Sequence, residues 1–430
     1  MSRISGQILG ALVVAGIFVL SLTPEYAEAQ YYDDPGLGQE PVTSFPQDYK
    51  PLGIRAGSFM LHPGVQLAAE FTDNVFFTQN NTVNDIVYHV RPYITAQSTW
   101  SRHSLNVSAA ADFAFYGDYS SQNYEDYFFN VDGRVDVKNR SYFSYGGNYM
   151  ILHEDRSNRD SVQGFDPTKY HTYGWNLGYD HSFNRLSLGA AYAMQWLDYD
   201  DSVLPDGEVL DNQDRDRRED NWTLRAGYQF KTDMQAYVSY TGYRVKYDET
   251  VDRGGYERSG PGYTLNGGLS FTLTGKLNGD LYVAYHHRTY DDPTLPGIDG
   301  WAMGAGLQWN PTYLTSVYAR VDSGIEETVN QFSSGYFRTL YSVRVDHELT
   351  RFIQLNAFVS YSNNDYTEIP GAPQDAREYD KIWRNGVGAT WFINRSIYLN
   401  ASYAWEKLKT NVPDDGYTVN RIWLVLGLER

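Results

Sequence analysis

From His62 to its end the chain repeats one pattern, in which large apolar side chains alternate with small or polar ones over segments of 10 to 15 residues. Leu186, Leu188, Ala190, Tyr192, Met194 and Trp196 interleave with Ser187, Gly189, Ala191, Ala193 and Gln195. Leu105, Val107, Ala109, Ala111, Phe113 and Phe115 do the same against Asn106, Ser108, Asp112 and Tyr116, and stretches at 263–273, 301–309, 353–361 and 397–405 follow suit. A period of two puts the two sets on opposite faces of a β-strand, so each segment predicts a strand with one apolar and one polar face.

The breaks between segments are of two alternating kinds. Tight ones fall at 101–103, 139–140, 184–185, 231–233, 274–276, 310–312, 350–351 and 394–395, and most carry Asn or Thr with a basic residue, with Asp233, Gly275 and Pro311 among them, as hairpin turns favour. Longer polar ones, at 155–169, 198–220, 250–260, 291–299 and 368–379, lie between them. Eight pairs joined through the tight turns, one strand ending near Phe77 and a last one at 418–428 make 18 strands. An even number, short turns on one side and long loops on the other predict a transmembrane antiparallel up-and-down β-barrel. A soluble propeller has a similar repeat length, but its blades need a turn every 8 to 12 residues. Strands facing hydrocarbon must also close into a ring, because an open edge leaves N–H and C=O groups unsatisfied. Eighteen strands give a backbone diameter of about 35 Å, wide enough for an aqueous lumen. Trp100, Phe143, Phe183, Phe230, Trp309, Phe352, Trp391 and Phe392, beside the tight turns, predict an inner aromatic girdle. Pro92, inside a predicted strand, predicts a bulge or local break in pairing.

Composition sharpens this. The mean hydropathy of −0.52 excludes a helical membrane protein, although 68 of the 430 residues are aromatic and 38 of those are tyrosine. The apolar run Ile8–Leu22 follows Arg3 and precedes Ala27-Glu28-Ala29, the layout of a signal peptide cleaved before Gln30. Residues 30–57, with Pro35, Pro41, Pro46 and Pro51 and no periodicity, predict a periplasmic tether ahead of a barrel at 58–430. The absence of cysteine excludes disulfides, thiolate metal sites, a cysteine nucleophile and a lipid-modified N-terminal cysteine. A net charge of −18 excludes a basic nucleic-acid-binding surface.

The opening of the barrel carries a recognisable signature: Leu61-His62-Pro63-Gly64-Val65-Gln66-Leu67, then Phe71-Thr72-Asp73-Asn74-Val75-Phe76-Phe77, then Arg91-Pro92-Tyr93-Ile94. Over roughly residues 58–119 it resembles the family of outer-membrane proteins called putative β-barrel porin 2. The resemblance implies an outer-membrane barrel, and members of that family accompany exopolysaccharide or capsule synthesis systems, some as the exit for the polymer. One departure is the C-terminus, which ends on Glu429-Arg430 instead of the aromatic or apolar residue that barrel assembly usually reads.

With the apolar set toward lipid, the channel-lining candidates are Arg91, Asp112, Asp132, Arg134, Asp136, Asp180, Arg225, Asp280, Arg338, Arg344 and Arg384. Such a wall is polar and nearly balanced in sign; guanidinium, carboxylate and tyrosine groups can bond hydroxyls and stack on sugar rings. Alternatively, the charges pair across strands and only make the wall wettable. The run 198–220 holds ten carboxylates and three arginines and reads as an acidic outer loop that is solvated, binds cations or folds inward to gate the channel. No catalytic or metal-binding spacing is present, so the sequence predicts neither an enzyme nor a cofactor. Three functions fit: a channel for surface polysaccharide, a general or substrate-selective diffusion porin with 155–169 as its constriction loop, and a structural or adhesive barrel. The expected partners are outer-membrane lipid and lipopolysaccharide, a polysaccharide substrate and a periplasmic export protein meeting residues 30–57.

Overall fold

A computed structural model describes residues 49–161 and 164–430. The predicted signal peptide and most of the predicted tether lie outside the described residues. The barrel strands are β1 (Phe59–Thr72), β2 (Asp85–Ser98), β3 (Ser104–Tyr116), β4 (Tyr124–Lys138), β5 (Ser141–His153), β6 (Lys169–Phe183), β7 (Leu186–Tyr199), β8 (Arg217–Lys231) and β9 (Met234–Tyr247). They continue as β10 (Gly260–Leu273), β11 (Leu277–Arg288), β12 (Ile298–Thr312), β13 (Thr315–Glu326), β14 (Ser333–Thr350), β15 (Ile353–Glu368), β16 (Tyr379–Asn394), β17 (Ile397–Thr410) and β18 (Tyr417–Glu429). Each pairs antiparallel with its sequence neighbour, and β1 pairs with β18 from Gly64–Glu429 to Thr72–Arg421, closing the ring.

Strands of 12 to 18 residues exceed the 9–11 or so needed to cross hydrocarbon at a tilt, so they project beyond the bilayer. Alternation then sorts the faces. Leu67, Phe71, Leu188, Leu224, Val238, Leu265, Leu281, Val343, Val387 and Leu424 are exposed, while Gln66, Glu70, His89, Asp112, Ser239, Ser360 and Glu406 on the other face are buried. In a protein packed against water this would be inverted; here the exposed apolar face meets lipid and the polar face lines the interior.

The eight short turns fall where the sequence placed them, within a residue or two, and the termini of the ring lie on their side. At one of them Phe183 pairs with Leu186 across a two-residue loop in which Asn184 takes φ +53°, a conformation asparagine tolerates. The first strand stops at Thr72, short of Phe77. There Phe77 adopts φ +51° and turns inward to pack edge-on against Tyr417, 5.1 Å between centroids. Residues 198–220 are not wholly a loop, since Asp198 and Tyr199 still belong to β7 and Arg217–Asp220 begin β8. Of the predicted girdle, Trp100, Phe143, Phe183, Phe230, Trp309, Phe352 and Trp391 are exposed on the outer face, but Phe392 is only 1% exposed. Adjacent strand residues point oppositely, so Trp391 and Phe392 cannot both face lipid. Pro92 produces a break and not a bulge: pairing of β2 with β3 lapses at 91–92, and the register is unchanged on either side.

Close packing of ring on backbone marks the closure seam. A Cβ on Gly427 would sit 2.0 Å from the Tyr398 ring and one on Gly64 2.3 Å from Tyr93, so both rings lie flat on glycines of the two terminal strands. Glu429 falls on the inward face, between Leu428 outside and the β1 backbone, so the charged C-terminus leaves the lipid-facing alternation of Ile422, Leu424, Leu426 and Leu428 intact. Ahead of the barrel, Ile54–Ala56 folds back onto Phe59–Leu61, and Tyr49 reaches Phe392 at 5.8 Å on the interior of the short-turn end.

Candidate channel constriction

The connection from β5 to β6, residues 154–168, does not stand away from the barrel. Its base is fixed first. Glu154, buried at the end of β5, forms a two-pronged pair with Arg215, whose guanidinium lies 3.9 Å above the Tyr199 ring. Arg156 donates to the Gln122 side chain at 2.7 Å and to the carbonyls of Gly164 and Phe165 at 2.7 and 3.0 Å. The next loop supports it from behind, with Thr168 and Ser202 hydroxyls 2.6 Å apart.

The tip crosses to the far wall. Arg159 donates to the carbonyl of Phe77, lies 3.6 Å from Asp415 and stacks 4.9 Å from the Tyr417 ring. Asp160 accepts from the Thr328 hydroxyl and, at 2.6 Å, from Tyr366. Thr328 lies between β13 and β14 and Tyr366 on β15, half the ring of 18 strands from β5 and β6. On that wall Arg377 bridges Asp380, at 2.6 Å, and Asp415. Tyr366 also lies 3.3 Å from Asp380, so its single hydroxyl proton is shared between two carboxylates. Crowding away from bulk water pushes the Asp160 carboxyl up to about 6 against its two hydroxyl donors, with the nearby Asp380 charge adding to the rise.

All eleven residues singled out from sequence lie on the inward face, but they form no single site. In the outer half Arg91 pairs with Asp112 at 2.9 Å beside His89, and Arg384 meets the buried Glu406 at 3.1 Å. Glu406 also receives Arg421 at 3.0 Å and the Tyr417 hydroxyl at 2.5 Å. Arg338 lies 3.3 Å from Glu326. Nearer the short turns, Asp132 accepts from Asn106 at 2.9 Å, Arg134 pairs with Asp136 at 2.6 Å and Arg344 with Asp346 at 3.0 Å. Arg225 stacks 3.8 Å from the Tyr237 ring, Tyr237 donates to Asp280, and Asp180 bonds Tyr142. Several of these pairs run along one strand, two residues apart, and not across strands; Arg217–Glu219 and Arg320–Asp322 repeat the arrangement. Residues two apart share a face, so an Arg-x-Asp triplet on an inward face neutralises itself.

Sequence reading missed Arg159, Arg215, Arg377, Glu406 and Arg421. The bonds of Asp160 to Thr328 and Tyr366 span 168 and 206 residues, so no local spacing announces them. Together the elements form a polar channel whose outer part is crossed by a pinned loop.

No curated protein matches the chain. Among solved structures, it is similar to crystal structures of three Pseudomonas aeruginosa proteins. For OpdO the identity is 13%, with 87% of this chain and 97% of that one covered and a TM-score of 0.43. For OpdL the figures are 11%, 87%, 99% and 0.44, and for OccK2 (OpdF) 9%, 86%, 97% and 0.45. The family model described as putative beta-barrel porin 2 matches residues 46–430, and the chain belongs to that family of outer-membrane β-barrels.

Proposed function

We propose that this barrel is a selective diffusion channel for small polar solutes, narrowed by the 154–168 loop. The reading rests on one observation above others: Asp160 at the loop tip bonds Thr328 and Tyr366 on the opposite wall, which leaves solutes to pass beside the loop. The lining there offers what hydroxylated or charged solutes need, namely guanidinium and carboxylate groups already held in pairs and tyrosine faces between them. A surface polysaccharide would have to displace the loop, so polymer export requires a partner or signal that releases it.

Liposome swelling with sugars of increasing size, measured on the purified barrel and on a variant lacking residues 155–167, tests this. The intact barrel should admit small sugars and exclude oligosaccharides that the shortened variant admits. Equal size cut-offs for the two proteins would refute the loop as a constriction. Loss of surface polysaccharide on deleting the gene, with small-solute permeability unchanged, would favour export instead.

A further inference from the structure

The outward face near the outer rim carries an unbalanced positive patch. Lys381 on β16 stands directly opposite Lys409 on β17, and Lys407 stands directly opposite Trp383. Directly opposed side chains on one face have Cβ atoms about 5 Å apart, and like charges so placed repel. Three of the nine lysines of a chain with net charge −18 thus gather on two neighbouring strands. Neither Lys407 nor Lys409 has an ion-pair partner among the described residues, and Lys381 only overlies the Tyr379 ring at 4.6 Å. Asp365 faces the same way on β15, where it accepts from the neutral Asn363 amide at 2.6 Å, so three lysines against one carboxylate leave this face with a net charge of +2. Flanking outward positions are neutral, Asn363 beside Lys381 and Thr418 beside Lys407.

The height of the patch identifies what would neutralise it. Trp383 and Tyr361, 4.4 Å apart, and the exposed Tyr403 form the aromatic belt at the outer edge of the apolar face, and the lysines stand level with it and one step above. Aromatic belts lie at the headgroup level of the bilayer. The outer leaflet of such a membrane presents phosphorylated glycolipid there, and a phosphate is the acceptor that three ammonium groups converge on. We infer that Lys381, Lys407 and Lys409 form a docking site for the phosphates of the lipopolysaccharide lipid moiety on the outer wall of β16 and β17.

The test is binding of bisphosphorylated lipid A and of its dephosphorylated form to the detergent-purified barrel, read by native mass spectrometry. Folding is checked by heat-modifiable mobility on gels. The wild type should bind the phosphorylated form at least tenfold more tightly. Lys381→Gln/Lys407→Gln/Lys409→Gln should lose roughly 100-fold in affinity for the phosphorylated form, at about 1 kcal/mol per lysine near an anionic surface. The corresponding triple arginine variant should keep it, as should Lys169→Gln/Lys246→Gln. Equal binding of both lipids by the wild type, a triple glutamine barrel binding within twofold of wild type, or displacement of the lipid by millimolar inorganic phosphate would overturn the assignment.

Discussion

The sharpest consequence of a pinned loop is that cutting its tip anchors should widen the channel without unfolding the barrel. Three charge-assisted hydrogen bonds hold the tip: Arg159 to the Phe77 carbonyl, and Thr328 and Tyr366 to Asp160. At about 1.5 kcal/mol each, they amount to roughly 4–5 kcal/mol, about three orders of magnitude in the ratio of docked to undocked loop. Arg159→Ala/Asp160→Ala removes them all and leaves the Glu154–Arg215 pair and the Arg156 contacts to hold the loop base. In planar bilayers the double variant should show a larger single-channel conductance with more frequent open-state transitions. Arg159→Ala alone, which leaves the two Asp160 bonds in place, should fall between. A double variant that keeps its heat-modifiable mobility and has wild-type conductance would refute the crossing of the mouth by this loop.

Four further outcomes follow from the same geometry. A carboxyl raised from 3.8 to about 6 in the docked loop means that docking takes up a proton between those values, so docking strengthens as pH falls through about 6 and is independent of pH well above it. Conductance should therefore drop between pH 7 and pH 5, and Asp160→Asn, which carries no titrating proton, should flatten the profile. Glu406→Gln leaves Arg384 and Arg421 facing each other without their shared carboxylate; stability should fall by about 3 kcal/mol and reversal potentials should shift toward anion selectivity. Alanine at Arg91, Arg134 and Arg338 should shift ion selectivity the other way, and no shift in any of the three would contradict their placement on the channel wall. Gly427→Ala must push the Tyr398 ring off the seam at a cost of about 1–3 kcal/mol, seen as a lower unfolding temperature on gels, and Tyr398→Ala in the same chain should remove most of that cost.

The ring was legible in the sequence because its determinants are local. Period-two alternation gives each strand its faces, and turn residues give the pairing order; together these place Arg91, Asp112, Arg225 and Arg384 on the wall without any knowledge of distant contacts. Errors arise where one residue decides between faces. Trp391 and Phe392 are both aromatic beside a turn, and composition alone cannot say which one faces lipid; the strand phase set by Trp383 and Val387, both outward, assigns Trp391 outward and Phe392 inward. Phe77 continues the apolar rhythm of β1 in sequence, yet a left-handed turn takes it out of the strand and onto Tyr417.

The constriction was not legible for the opposite reason. Its residues are ordinary members of an acidic loop until the ring brings strands from opposite ends of the chain within reach of Arg159 and Asp160. The two kinds of charge in the protein then have different work. Along the wall, arginines are matched by acids two residues away or on the next strand, as with Arg344–Asp346 and Arg384–Glu406, so the lining stays wettable and close to neutral. At the mouth, Asp160, Asp380 and Asp415 share two arginines and the hydroxyls of Tyr366 and Thr328, so the three carboxylates outnumber their cationic partners. Burial raises the Asp160 carboxyl and the neighbouring Asp380 charge adds to the rise, which makes loop docking respond to pH.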